Sequence, residues 1–383
     1  MAKSNGLFGF SFGTAVPAPT PAPVLFTMGR KEEPEGGTEE KDPVVSLNDT
    51  LGSKEVPSAL NDKKETNKAF SFPRLSPGLE SPWRVLKWTE EQRTTLMKNI
   101  SSYKPSCTEA ARVLLLGPVG SGKSSFISSV QSVFNGRVTN RAMVGSFSIS
   151  FTKKLQFYKI RSLRGQQPDG LVLCDTMGLG DSAMTGPTLH DVLSVIQGHV
   201  PEGHVFSPVQ PVNLSQTLGY RKRPSLEEKI HCVAFVLDAV KMSSYHGSLS
   251  SSFQQLREHI SELGIHQVAL LTHVDLVCPE TAQDVTNVYK SRVVQAAVSP
   301  NRPDVFLLVV HTCDAHVCRA QINQAAALLG MSSSYVVPVK NYSSELDVDH
   351  NTDVLLLNAV DHILQYADLY FLDNSPPPDC ETP

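Results

Sequence analysis

RVLLLGPVGSGKSSFISSVQSVF, residues 112–134, reads in three parts. Val113 to Leu116 is a short apolar run, the pattern of a strand buried on both faces of a parallel sheet. Gly117-Pro-Val-Gly-Ser-Gly122-Lys123-Ser124 satisfies G-x-x-x-x-G-K-[ST] at every defined position. Phe126, Ile127, Val130, Val133 and Phe134 then fall on adjoining turns of an amphipathic helix. Strand, glycine-rich turn and helix in that order predict a phosphate-binding loop.

Each residue type in the loop has a chemical reason. Gly117, Gly120 and Gly122 let the backbone approach a ligand closely and turn its N–H groups onto phosphate oxygens. The helix N-terminus adds partial positive charge, and Ser121 and Ser125 complete the candidate contact set. Lys123 is placed to bridge the β- and γ-phosphates, and Ser124 to ligate Mg²⁺.

Two further strand ends bear on the choice of base. Leu171-Val-Leu-Cys-Asp175-Thr-Met-Gly178 is an apolar run closing in D-x-x-G, the third motif of GTPases. There the Asp meets Mg²⁺ through a water and the Gly N–H meets the γ-phosphate. Val268-Ala-Leu-Leu-Thr272-His273-Val274-Asp275 ends in THVD, where GTPases carry [NT]KxD. Asp275 is the candidate partner for the guanine N1–H and exocyclic amine. His273 stands where a lysine stem would cover the base, and a flat imidazole can also stack on a purine. GTP with Mg²⁺ is therefore the leading ligand. ATP is the rival if His273 marks lost guanine selection, and a nucleotide-independent scaffold is the alternative of another class. Val336-Val-Pro-Val-Lys340-Asn341-Tyr342-Ser343 is placed to contact the base edge without the usual Ser-Ala-Lys.

The threonine that senses Mg²⁺ in such enzymes belongs in Met143–Thr152, whose alternation reads as an edge strand. Ser146, Ser148 and Thr152 are equal candidates. After D-x-x-G, the place of a water-orienting glutamine is taken by Leu179. An apolar side chain cannot orient water, so hydrolysis is expected to be slow or absent unless a second protomer supplies the group.

Outward from these motifs, residues 1–80 read as a disordered Pro-rich and charged tail. Pro17, Pro19, Pro21 and Pro23 favour extended conformations, and RKEEPEGGTEEKD follows. Residues 81–110 read as a helical lead-in packed on the core, with Thr89 as N-cap and Leu96 and Ile100 on one face. Residues 111–372 alternate strands and helices, and 373–383 form a flexible tail. The fold class is α/β: a P-loop GTPase-like, mostly parallel sheet with helices on both faces.

Composition narrows the setting. The chain has 383 residues, with 34 Lys and Arg against 38 Asp and Glu, a net charge of −4. That balance argues against bulk electrostatic binding to nucleic acid or an anionic membrane. No apolar stretch is long enough to span a bilayer. The odd, scattered set of 7 cysteines suits reduced thiols, and these readings place the protein in the cytosol or nucleus. Arg221-Lys-Arg223 reads as a solvated loop. Phe253, Leu256, Ile260 and Leu263 read as a core-packed helix face capped by Gly264. Asp238, at the end of a buried strand, either caps the next turn or faces the nucleotide. His311, Cys313, His316 and Cys318 offer zinc-type atoms at a spacing that matches no recognised zinc knuckle.

LLLGPVGSGKSSF, DTMGL, GHVPEG, LLTHVD, NVYKS and VPVKNYSSE together resemble the interferon-induced protein 44 family, including its 44-like members. PWRVLKW (82–88) and LLLNAVDHILQYADLYF match as well, so the resemblance runs from about residue 80 to 372. It implies a cytoplasmic, interferon-inducible protein with a GTPase-like domain, an antiviral role and self-association. Two departures stand out. The Pro-rich start is unlike the family's, and VSPNRPDVFLLVVHTCDAHV (298–317) looks inserted, with an extra strand expected over Val305 to Val310.

Overall fold

Strand β1, Ala111–Leu116, lies at the centre of the molecule, and its side chains from Val113 onward are fully buried. It is flanked by β3, Leu171–Asp175, and β4, Cys232–Asp238, both parallel to it. Beyond β4 come β5, His266–Thr272, and β6, Val336–Pro338, again parallel. The edge strand β2, Gln156–Lys159, alone runs antiparallel, against β3. The order is β2-β3-β1-β4-β5-β6. A computed structural model supplies this description for residues 78–140, 142, 152–160, 170–180, 185–207, 209–245, 247–298 and 325–374. The chain divides into units Met1–Ser71 and Phe72–Pro383, and every described residue lies in the second.

The central strands need this arrangement because they are apolar along their whole length. Cys232 to Asp238 is buried at every position, so a helical layer must cover each face. Right-handed crossovers decide which helix goes where. From β1 the chain moves to one side through α2, Lys123–Asn135, and reaches β3. From β3 it returns across β1 to β4 through α3, Leu189–Ile196, which therefore lies on the opposite face. Helix α4, Ser248–Glu262, packs beside α3 and against β5. Its buried face is Leu249, Phe253, Leu256 and Ile260; Leu263 sits at the C-cap, 37% exposed, and Gly264 closes the helix at φ 69°. Between β5 and β6 come the short helices α5, Val274–Val277, α6, Pro279–Gln283, α7, Arg292–Val298, and α8, Ala325–Leu329. The long α9, His350–Asn374, covers β1, β4 and β5 on the α2 face.

Helix α1, Glu90–Ser102, packs on α9 through Leu96 and Ile100. Thr89 is its N-cap, accepting from the Gln92 N–H at 3.2 Å. Ahead of it, Trp83 packs edge-on to Tyr289 at 5.1 Å, with the Arg84 guanidinium 5.0 Å over the Trp83 ring. Arg93 donates through Nε to Asp353 at 2.8 Å, and Tyr342 donates to the other carboxylate oxygen at 2.7 Å.

Among the described residues the sheet's edge strand is β2; of the expected edge strand at 143–152, residues 143–151 lie outside the described residues. Ser146, Ser148, the expected strand at Val305 to Val310 and the His311, Cys313, His316 and Cys318 cluster lie outside them too. Among the described residues no group of His, Cys, Asp and Glu forms a metal cluster, four cysteines are free, and no helix is long and apolar enough to cross a membrane.

Candidate phosphate-loop site

Strand order reverses at β1, so the crevice outside the carboxyl ends of β1, β3, β4 and β5 is where a ligand binds in an open α/β sheet. Every candidate residue stands on that edge. Gly117 to Gly122 follow β1, Asp175 ends β3, Asp238 ends β4, and Thr272 ends β5.

The loop's conformation depends on its glycines. Gly120 and Gly122 take φ of 74° and 90°, and a Cβ on Gly117 would meet the Val236 carbonyl oxygen. Lys123 is buried, and its Nζ donates to the carbonyls of Gly117 and Pro118, each at 2.9 Å. Burial lowers its pKa to about 8, with Asp175 pulling it back up. Ser121 is buried with its hydroxyl unpartnered, and Ser125 lies in the first turn of α2.

Beside the loop three oxygens converge. Ser124 donates to Oδ2 of Asp175 at 2.6 Å, and Thr152 reaches the same atom at 3.3 Å. Ser124 and Thr152 hydroxyls are 3.3 Å apart. Asp175 is buried with Oδ1 unpartnered, and burial raises its carboxyl above the ordinary range. Two hydroxyls and a carboxylate with spare acceptor capacity are hard oxygen donors, the set that suits Mg²⁺. Thr152 is the one of the three switch candidates whose place is described.

Gly178 lies against the loop, where a Cβ would meet Val119 at 2.8 Å. The next residue is pinned there: Leu179 N–H donates to Gly117 at 3.0 Å, and Val119 N–H donates to the Leu179 carbonyl at 3.3 Å. Leu179 is itself buried.

The THVD segment holds the loop from the other side. Thr272 is fully buried and its hydroxyl lies 2.7 Å from the Ser121 carbonyl and 3.0 Å from that of Leu237. His273 follows at φ 56°, the one positive-φ non-glycine among the described residues. That turn aims its Nδ1 at Asp238 Oδ1, 3.0 Å away. The bond to Asp238 raises the His273 pKa against the cost of burial. Asp238 also accepts from the Val240 N–H, so it caps the turn and faces the site at once. Asp275, half-buried in α5, contributes further negative potential at His273. Asn341 donates to the Gly122 carbonyl at 3.2 Å and leaves its buried Oδ1 unpartnered. The sequence offers Asp238 as a cap or a nucleotide-facing group and places Asn341 in a segment near the base edge; nothing local marks the Asp238 contact with His273 or the Asn341 contact with Gly122.

Strand order, the loop between β1 and α2, and the residues along the carboxyl edge define a P-loop domain of the GTPase type. The human interferon-induced protein 44-like is 32% identical to it over 309 residues, 80% of this chain and 62% of that protein. Human interferon-induced protein 44 is 32% identical over 292 residues, 76% of this chain and 60% of that protein, and the mouse protein 32% over 282 residues, 73% and 60%. The chain belongs to the interferon-induced protein 44 family and spans about three-fifths of the length of these relatives. No family model matches it. Solved structures that align with it include Toc33 from Arabidopsis thaliana in complex with GDP and Mg²⁺, at 14% identity, 72% of this chain, 90% of that chain and a TM-score of 0.35. Aquifex aeolicus Era bound to GDP·AlF4⁻ aligns at 13% identity, 72% and 60%, with a TM-score of 0.26. The fold assignment rests on the strand order and not on these alignments.

Proposed function

We propose that this chain is a guanine-nucleotide-binding protein that uses Mg²⁺, hydrolyses GTP slowly or not at all, and acts as a cytoplasmic, interferon-inducible antiviral effector. The observation that carries the binding reading is the buried Asp175, bonded to Ser124 at 2.6 Å while its Oδ1 has no partner. A buried carboxylate with an orphaned oxygen is costly unless a cation completes it. In this reading Gly117, Gly120, Ser121, Gly122, Lys123, Ser124 and Ser125 hold the phosphates, and Gly178 meets the γ-phosphate. Ser124 ligates Mg²⁺, with Asp175 behind a water and Thr152 beside them. Thr272, His273 and Asp275 form the base side. The interferon part is carried over from the relatives' names, and the antiviral and self-association parts are what the family resemblance implies.

One observation favours the ATP reading: His273 is turned onto Asp238, so its ring is engaged at the strand end. Titrating the full chain with fluorescent GTP, GDP and ATP analogues, with and without Mg²⁺, decides between them. Mg²⁺-dependent binding with guanine preference supports the proposal. Equal GTP and ATP affinities favour the alternative, and no binding leaves the scaffold reading.

A further inference from the structure

The THVD segment lacks the lysine that would bring a cation over the loop, yet the structure brings one there from another element. The 3-10 helix Ala239–Ser244 follows β4 and carries Lys241. Its Nζ lies 3.3 Å from the point a Cβ on Gly120 would occupy, so the ammonium stands over the middle of the phosphate loop. Gly120, at φ 74°, leaves that space open; a side chain there would press on the ammonium as well as strain the turn.

Lys241 is tied in place from below. Asp238, buried at the end of β4, faces Lys241 Nζ with Oδ2 at 3.8 Å and His273 Nδ1 with Oδ1 at 3.0 Å. The buried carboxylate holds His273 by a hydrogen bond and Lys241 by charge. His273 reaches it because of its left-handed backbone, the feature for which the THVD sequence gives no local reason. Lys241 itself is half exposed, with its head beside Gly120 of the loop. Lys123 sits on the inner side of the same loop, where burial weakens its hold on a proton. A second ammonium on the outer side is therefore the accessible cation for an anionic ligand.

We propose that Lys241 is a nucleotide-binding residue that contacts the ribose–diphosphate stretch of a nucleoside di- or triphosphate, with Asp238 and His273 as its positioning residues. The proposal rests on the nucleotide-binding reading above. It predicts a contact shared by guanine and adenine nucleotides, since ribose and phosphates are common to both.

The test is titration of the full chain with N-methylanthraniloyl GDP and ADP. Lys241→Met should weaken both about tenfold and by the same factor, the size of one charge-assisted contact. Lys241→Arg should recover most of the loss, and the thermal midpoint of the nucleotide-free protein should stay put because the side chain is half exposed. His273→Ala should weaken binding less in the Lys241→Met background than in the wild-type background, because the part of its effect that acts through Lys241 is already lost there. Unchanged affinity of Lys241→Met, beside a Lys123→Ala control that has lost binding, overturns the proposal and leaves the nucleotide reading standing. A loss confined to GDP, or an additive His273→Ala effect, overturns the assigned contact or the positioning role. A wild-type chain that binds neither analogue overturns both readings together.

Discussion

Ser124 and Asp175 are joined by a 2.6 Å hydrogen bond that ties the first turn of α2 to the end of β3. The bond links the two motifs whose spacing in sequence is widest for any pair on the metal side of the site, and it leaves one carboxylate oxygen buried and bare. Burial raises the Asp175 carboxyl, with Ser124 and Lys123 opposing. A carboxyl with a raised folded pKa costs nothing at low pH and destabilises the fold as pH climbs from 3.8 through the raised value.

Asp175→Asn removes that charge while keeping an acceptor for Ser124. At pH 7 the nucleotide-free variant should gain about 1 kcal/mol of stability. Its nucleotide affinity should lose its dependence on Mg²⁺. Denaturant unfolding and titration in Mg²⁺ against EDTA check both. A less stable variant that still responds to Mg²⁺ would contradict the assignment.

Lys123 titrates at about 8 in the folded chain because it is buried, against 10.5 ordinarily. Its charged form is thus disfavoured in the native state, and this penalty, complete below about 8, is relieved as pH rises toward 10.5. Phosphate oxygens bound beside Nζ would restore the ammonium. Nucleotide binding in EDTA at a pH just above 8 should therefore take up a fraction of a proton. Calorimetry in two buffers of different ionisation enthalpy reads it directly, and buffer-independent heats speak against it. Lys123→Ala should abolish binding without unfolding the domain.

Leu179 is buried and pinned by backbone bonds to Gly117 and Val119. Turnover of the isolated protomer should be far below the roughly 1–100 s⁻¹ of kinases. Leu179→Gln should not raise it, because the new amide is buried beside the loop; it should cost about 1–3 kcal/mol of stability for an unpaired polar group. Phosphate release measured across protein concentration is the check. Fast turnover at the lowest concentration, or rescue by glutamine, would refute this account, whereas a steep rise with concentration would indicate that another protomer completes the site.

What could be read from sequence was local. Val113–Leu116, Leu171–Asp175 and Val268–Thr272 announce themselves as uninterrupted apolar runs because each is buried on both faces, and the motifs follow at their ends. The edge strand Gln156–Lys159 was missed because its burial is partial and its residues mixed. The alternation at 143–152, of which 143–151 lie outside the described residues, reads more readily as a strand than QFYK does. Contacts that join distant residues left no periodic trace. His273 to Asp238, Asn341 to Gly122 and Arg93 to Asp353 depend on which strand ends and helix turns the topology sets side by side. The contact of Thr152 with Asp175 likewise depends on the fold, while its rivals Ser146 and Ser148 lie outside the described residues.

Arg93 and Asp353 form the clasp between α1 and α9. Asp353 is fully buried, and burial raises its carboxyl even with Tyr342 and Arg93 bonded to it. Arg93→Ala strands that charge and should cost about 3 kcal/mol, as for other broken buried pairs. Arg93→Ala combined with Asp353→Asn should recover part of the loss. Tyr342 follows Asn341, which holds Gly122, so the single variant should also weaken nucleotide binding. Unfolding curves and titrations on the two variants test the chain of contacts; an Arg93→Ala protein as stable as wild type would break it.

Under the guanine-nucleotide proposal, Asp275 is the residue assigned to read the base. It lies half-buried three positions beyond Thr272, whose hydroxyl holds the strand end to Ser121, so its position relative to the loop is fixed by a buried bond. A carboxylate that accepts from guanine N1–H and the exocyclic amine leaves two donors unsatisfied when it is replaced. Asp275→Asn should then weaken GTP by about 1–3 kcal/mol and improve binding of xanthosine triphosphate, whose 2-oxo group accepts from the new amide. Binding of ATP should not change. Competition of the three nucleotides against one fluorescent analogue gives the ratios. If the substitution shifts all three alike, Asp275 supports the loop and does not read the base, and the guanine preference falls with it.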